Sequence, residues 1–252
     1  MCSVLGIAFD DLQTALEQPV DATLAQRLEE LADRRIASRK PLAYLLREAW
    51  LAGHRFYVDE RAIVPRSHIA ELLVDGLAPW INQPASVRRV LDLCSGSACL
   101  AILAALAFPE SRVDAADISE DALAVARINV TDYGMHPRLR LVHSDLFTAL
   151  KDERYDLILV NPPYVDARAM RELPAEYRHE PQSALAGGAD GLDIVHRILD
   201  AAPDHLTEHG LLVLEVGAHR TALEAAYPRL PFTWLETRAG GEEVFLLRRA
   251  DF

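Results

Sequence analysis

Cysteine is scarce in this chain, with three residues in 252, at Cys2, Cys94 and Cys99. An odd count without CxxC spacing excludes a disulfide framework or a zinc ribbon as the basis of the fold and implies reduced thiols. Long apolar runs are missing too. None reaches the roughly 18 residues of a membrane span, and Met1 to Ile7 lacks a basic leader region, so no membrane association and a cytoplasmic location are expected. Positive charge is in deficit: 26 Lys and Arg against 38 Asp and Glu leave a net charge of −12. Binding nucleic acid without sequence preference depends on neutralising phosphates, so stable DNA binding is not expected, and a basic protein partner fits better. Of nine histidines only His205 and His209 have helical ligand spacing. No Glu stands where a zinc protease needs one and no third ligand is evident, so no metal is expected. Internal repeats and low-complexity tracts are also lacking.

What is present is an ordinary globular composition, 50 % hydrophobic and 25 % charged, long enough for one α/β domain with a small appendage or for two small domains. Leu24, Leu28, Leu31 and Ile36 recur at helical spacing, and Arg34, Arg35, Arg39 and Lys40 precede Pro41 as cations at a helix end or as a basic patch for a partner. The run from Trp50 to Val58, the polar Asp59-Glu60-Arg61 and the run from Ala62 to Arg66 read as a β-hairpin arm turning at 59–61. From Val87 onward strands and helices alternate. Strands are expected at 89–93, 112–118, 139–143, 155–160 and 211–216, and helices reaching Ala107, reaching Tyr133, near 192–199 and at 219–226. Segments 232–237 and 243–247 read as a closing antiparallel hairpin. This alternation predicts a mostly parallel sheet covered on both faces.

The apolar strand Leu157-Ile158-Leu159-Val160 runs directly into Asn161-Pro162-Pro163-Tyr164. A planar amide or aromatic-amine nitrogen is a poor nucleophile, so a site that alkylates it must accept its two N–H hydrogens and present its face to the donor. The Asn161 side-chain oxygen and the Pro162 carbonyl are two such acceptors. Consecutive prolines fix φ near −65° and restrict the residue before each, so the Pro162 carbonyl is aimed in advance. Tyr164 supplies an aromatic wall for a flat group. The competing structural reading is a strand followed by a rigid turn.

The first strand of the alternation ends in Asp92-Leu93-Cys94-Ser95-Gly96-Ser97-Ala98-Cys99, so that strand, small-residue loop and helix follow in order. This resembles the S-adenosylmethionine-binding loop of class I methyltransferases, with Cys94 and Ala98 where relatives often carry glycine. The resemblance implies that Asp92, Cys94, Ser95 and Gly96 lie at the amino-acid end of that cofactor. Asp117, about 25 positions on and followed by Ile118, can bond both ribose hydroxyls; with Ser119 it can equally cap a helix. Asp145, followed by Leu146, can accept from the adenine amino group or serve as a turn carboxylate.

Farther along, Pro41-Leu42-Ala43-Tyr44-Leu45, Glu48-Ala49-Trp50, the run from Gly53 to Arg61, Val64-Pro65-Arg66-Ser67, Tyr177-Arg178-His179-Glu180-Pro181 and the run from Pro231 to Glu236 all resemble the N5-glutamine methyltransferases of the translation apparatus. They are closest to the branch acting on the third large-subunit ribosomal protein. The resemblance implies a class I S-adenosylmethionine-dependent methyltransferase, with a Rossmann-like seven-stranded sheet, over 67–252. A small helical substrate-recognition domain over 1–47 and a β-hairpin linker over 48–66 would precede it. It further implies that Asn161, Pro162, Pro163 and Tyr164 hold the glutamine amide, with Asn161 also meeting the cofactor, and that Glu180 orients the cleft loop rather than acting as a base; Arg66 either shapes that pocket or makes a surface ion pair. Glu215 reads mainly as a strand-end carboxylate. The ribosomal protein, free or in an assembly intermediate, is the expected partner, and oligomeric state stays open. Peptide-chain release factors, the N6 nitrogen of adenine in nucleic acid, and a non-catalytic assembly role remain the alternatives.

Overall fold

The computed structural model describes Pro19, residues 21–237, Gly241 and residues 243–252. Most of the segment before α1 therefore lies outside the described residues, as does most of the turn of the closing hairpin. Among the described residues α1 (Ala22–Ser38) opens the chain, with Asp21 accepting from the Leu24 N–H at 2.7 Å as its N-cap. It is followed by the short α2 (Leu42–Leu46). No helix among the described residues is long and apolar enough to cross a membrane.

The arm is a hairpin, but its turn is not at 59–61. Strands β1 (Ala49–Leu51) and β2 (His54–Phe56) pair around Ala52-Gly53, both with positive φ. Such a turn matches the twist of two adjacent strands, and Ala52 conceals it because alanine seldom takes a left-handed conformation. Residues 59–61 form a local knot instead, in which the Asp59 carboxylate takes Nε and Nη2 of Arg61 at 2.9 and 2.7 Å and the Tyr57 hydroxyl at 2.8 Å. A helix that periodicity does not announce, α3 (Ile69–Val74), leads into the sheet.

The alternating region builds β3 (Arg89–Leu93), α4 (Cys99–Ala107), β4 (Arg112–Asp117), α5 (Glu120–Asp132), β5 (Leu139–His143), β6 (Tyr155–Val160), α6 (Ala169–Glu172), α7 (Asp193–His205), β7 (Leu206–Glu215), α8 (Arg220–Ala226), β8 (Thr233–Leu235) and β9 (Val244–Arg248). The seven strands β3 to β9 lie in the order β5-β4-β3-β6-β7-β9-β8, and only the pairs made by β9 are antiparallel. Strand β7 begins five residues before the expected 211. Thr207-Glu208-His209 is polar, but Tyr155 pairs with Leu206 across a bulge and recruits it. Helix α7 likewise runs on through Pro203 to His205, so His205 ends a helix while His209 lies in a strand. The two histidines share no helix face; His205 stacks on Phe147 and bonds the Glu153 carbonyl at 3.0 Å.

Side-chain alternation divides the core in two. Val90, Leu157, Leu159, Leu211 and Val213 enter one cluster with Ile102 and Phe108, while Leu91, Ile158, Val160, Leu212 and Leu214 enter the other with Ile198 and Leu199. Both faces are therefore covered, as a parallel sheet requires. Chain direction across the sheet reverses between β3 and β6, and a crevice opens outside the strand ends at such a switch point.

Candidate active site

A cleft of about 560 Å³ lies at this edge, lined by the ends of β3, β4 and β6, the loop after β5, the arm segment 61–67 and loop residues between 173 and 186. It brings together Arg66, Asp92, Cys94, Ser95, Gly96, Asp117, Ile118, Asp145, Leu146 and Asn161 to Tyr164. The cleft has two halves of different chemistry.

In the half around β3, Asp92 is buried at the strand's end. Its Oδ2 accepts the Ala101 N–H of α4 at 2.8 Å, whereas its Oδ1 is buried with no partner among the described residues. Burial pushes its carboxyl up to about 8, and the single backbone donor only partly opposes this. The Ser95 hydroxyl is also buried without a partner among the described residues. Between them the loop curls through left-handed conformations at Cys94 (φ 61°), Gly96 (φ 53°) and Ala98 (φ 61°). Two of these residues bear a Cβ, at a backbone cost of about 1–2 kcal/mol each. Burial drives the Cys94 thiol strongly upward, so it is a neutral wall of the cleft.

Asp117 ties this loop to the next strand: Oδ2 accepts from the Gly96 N–H and Oδ1 from the Ser119 N–H, each at 2.8 Å. Ser119 caps α5 itself, through the Ala122 N–H at 3.1 Å. Ile118 beside it is a large apolar side chain left 61 % exposed, on the wall of the cleft. Asp145 lies opposite, and both its oxygens take Nη2 of Arg197 at 2.9 Å. The orphaned acceptor on Asp92, the acidic Asp117 and the apolar Ile118 and Leu146 suit a ligand with ammonium and hydroxyl donors at one end and a flat apolar group at the other. S-adenosylmethionine has these features.

The other half is built on the motif after β6. Asn161 Nδ2 donates to the Arg66 backbone carbonyl at 3.0 Å, and no described residue donates to its Oδ1 or to the Pro162 carbonyl. Tyr164 donates its hydroxyl to Glu215 Oε1 at 3.0 Å, and burial followed by the Glu215 charge drives the phenol pKa strongly upward. Tyr164 therefore stays protonated and forms a wall, not a base. Arg66 pairs with Glu180 at 3.0 Å and lies over the Tyr177 ring, 5.1 Å from its centroid.

Residues 70–176 match the family model described as methyltransferase small domain, and residues 1–46 match that described as PrmC N-terminal domain. The ribosomal protein uL3 glutamine methyltransferase of Bordetella pertussis is 55 % identical over 95 % of this chain and 80 % of its own. That of Burkholderia pseudomallei is 55 % identical over 98 % and 83 %. The chain belongs to the uL3 glutamine methyltransferase family. Likeness to more distant solved structures concerns the fold. A Pyrococcus furiosus methyltransferase superposes with TM-score 0.56 at 15 % identity, covering 89 % of this chain and 98 % of its own. The human METTL16 catalytic domain, solved with the MAT2A 3'UTR hairpin 6, gives 0.58 at 16 % identity over 77 % and 74 %. The sheet is thus that of a class I methyltransferase.

Within this family fold, sequence reasoning missed Asn129. It is a buried α5 side chain that donates to the Ser97 carbonyl of the loop between β3 and α4 at 2.9 Å and bonds both backbone groups of Tyr57. The available signal was an amide on the apolar face of an amphipathic helix, flanked by Ala126 and Val130, a position that demands partners.

Proposed function

We propose that the protein transfers a methyl group from S-adenosylmethionine to the side-chain amide nitrogen, N5, of a glutamine in ribosomal protein uL3. Its relatives at 55 % identity are named for that reaction, which favours uL3 over a release factor. The observation that carries the chemistry is the Asn161 amide. Its Nδ2 is already committed to the Arg66 carbonyl, so Oδ1 is the end offered to substrate. Together with the Pro162 carbonyl it accepts the two amide hydrogens and turns the nitrogen's face toward the donor.

Asp92, Asp117, Asp145 and the loop Cys94-Ser95-Gly96 would hold the cofactor, with Ile118 and Leu146 against its flat end. When bound, S-adenosylmethionine supplies an electrophilic methyl group. Tyr164 walls the acceptor amide, and Pro163 fixes the turn between them. Arg66 closes the acceptor side with its guanidinium on Tyr177 and Glu180. The substrate nitrogen sheds its proton after transfer, so no strong base is required, and most of the rate gain comes from holding nitrogen and methyl in line at roughly 3–3.5 Å. In the same reading residues 1–47 recognise the substrate, 48–66 link, and 67–252 catalyse. The match to the PrmC N-terminal domain model supports this division. A ribosomal protein substrate also argues for a cytoplasmic enzyme.

The test is transfer of label from S-adenosylmethionine to uL3, to a release factor, and to unmodified DNA or RNA. Label in a glutamine of uL3 is expected; label in nucleic acid alone refutes the amide reading. Asn161→Ala is expected to remove most turnover while cofactor binding survives, and an unchanged rate would reject its role.

A further inference from the structure

An asparagine amide can present either end to a substrate, and only one is useful to a nitrogen that brings two hydrogens. The amino end of Asn161 is held by a single bond, to the carbonyl of Arg66. That carbonyl lies outside any helix or strand, between β2 and α3, so no regular hydrogen-bond ladder fixes it. Two buried carboxylates do so instead. Glu180, 5 % exposed, accepts the Val64 N–H through Oε2 and Arg66 Nη1 through Oε1, each at 3.0 Å. Glu215, 2 % exposed, accepts the Ser67 hydroxyl at 2.7 Å and the His68 N–H at 2.9 Å through Oε2. Its Oε1 takes the Tyr164 hydroxyl. Pro65 stiffens the centre of the segment by fixing its own φ.

We propose that segment 64–68 is a template that sets the orientation of the Asn161 amide, and that Glu180 and Glu215 are the positioning residues that hold it. Glu215 does so from both sides, since it fixes the template and the tyrosine of the motif with one carboxylate. Neither carboxylate is a base: two protein donors occupy Glu180 and three occupy Glu215. Flipping Asn161 would set Oδ1 against the Arg66 oxygen, lone pair against lone pair, and would present N–H donors to a substrate that needs acceptors. A template displaced by about 1 Å is sufficient to cost about a hundredfold in rate.

The inference rests on the reading of Asn161 given above, and a double-mutant cycle separates the two. Wild type, Asn161→Ala, Glu215→Ala and the double variant are compared for kcat and KM with labelled S-adenosylmethionine and uL3. Binding of S-adenosylhomocysteine is followed by calorimetry. Glu215→Ala is expected to lower kcat about a hundredfold with cofactor affinity little changed. Glu215→Gln keeps an acceptor for Ser67 and His68 and is expected to recover most of the rate. The double variant is expected to be no slower than Asn161→Ala, because Glu215 acts through that amide. Multiplying losses, or full activity in Glu215→Ala, would overturn the positioning role. Full activity in Asn161→Ala would instead refute the reading beneath it. Should Glu215→Ala fail to fold, Ser67→Ala, which removes the hydroxyl that donates to Glu215 and accepts the Ile69 N–H but leaves the carboxylate, takes its place in the cycle: losses that do not multiply support the positioning role, and losses that multiply overturn it.

Discussion

The Asn129 side chain bonds both backbone groups of Tyr57: Oδ1 accepts the N–H at 2.7 Å and Nδ2 donates to the carbonyl at 3.1 Å. A single helix side chain thus replaces a strand partner for the arm while its other amide hydrogen holds the Ser97 carbonyl of the loop between β3 and α4. Asn129→Ala leaves one N–H and two carbonyl groups short of a partner. Each stranded buried group costs about 1–3 kcal/mol, with some recovered from water, so a net loss of about 2–3 kcal/mol is expected in urea unfolding. Cofactor affinity should weaken in parallel, as read by calorimetry; an unchanged affinity would detach Asn129 from the site.

A steric prediction concerns Gly187. Its φ is not left-handed, so alanine would introduce no backbone strain, but an added Cβ would lie 2.7 Å from both the Tyr164 Cα and the Gly191 carbonyl oxygen. Both are main-chain atoms, and the segment is fixed by the Val165–Leu185 and Gly187–Val165 backbone bonds at 2.8 and 2.9 Å. Gly187→Ala must therefore displace the motif itself. Turnover is expected to fall about tenfold to a hundredfold, with stability lowered by about 1–3 kcal/mol as for overpacking elsewhere. Wild-type kcat in this variant would show that the Tyr164 backbone tolerates movement.

The parts of this site legible in the sequence are those where one strand delivers one residue to the sheet edge. Asp92, Asp117 and Asn161 follow apolar runs whose alternation sets their depth, and the double proline marks its own turn. The bonds that position them were not legible, because they join residues far apart in the chain: Glu215 lies 148 positions from Ser67 and Glu180 lies 116 from Val64. A strand-end glutamate has the same local pattern whether it meets water or a template. The arm's true turn was hidden by Ala52, and the start of β7 by its polar residues. In both places tertiary pairing overrides local preference.

Burial of Asp92 gives a proton-linked prediction. Its carboxyl, ordinarily near 3.8, is pushed up to about 8, so without cofactor it is largely neutral near pH 7. Between these values the native state holds a proton that the unfolded chain has lost. Its contribution to stability is therefore full below the lower value and is lost as pH rises through about 8. A cofactor that brings a donor to the orphaned Oδ1 favours the charged form, so binding should release a proton and tighten as pH rises toward about 8. Calorimetry of S-adenosylhomocysteine binding in two buffers of different ionisation enthalpy reads that proton directly. Asp92→Asn should abolish the release; identical heats for wild type in both buffers would contradict the prediction.

Coupling between α1 and the cleft gives the last prediction. Glu176, in the loop that walls the acceptor half, takes Arg35 at 2.8 Å and Arg39 at 2.7 Å, and the His179 ring meets the Ser38 carbonyl at 3.0 Å. The Arg35 hydrogen bond is the chief cause of a Glu176 carboxyl lowered to about 2 from an ordinary 4.5. With the folded value below the unfolded one, the stabilisation is fully present above the ordinary value and is lost as pH falls through about 2. The pair is partly solvated, so salt should weaken it as acid does. Glu176→Gln is expected to speed hydrogen exchange across Ala22–Ser38 and in the loop around Tyr177, with protection of the central strands β3 and β6 unchanged. It should also raise KM for uL3 more than it lowers kcat, since the loop shapes the entry to the cleft while the Asn161 template stays in place. If exchange in α1 is the same in the variant and the wild type, the arginine pair contributes nothing to docking α1, and the cleft loop holds its place without it.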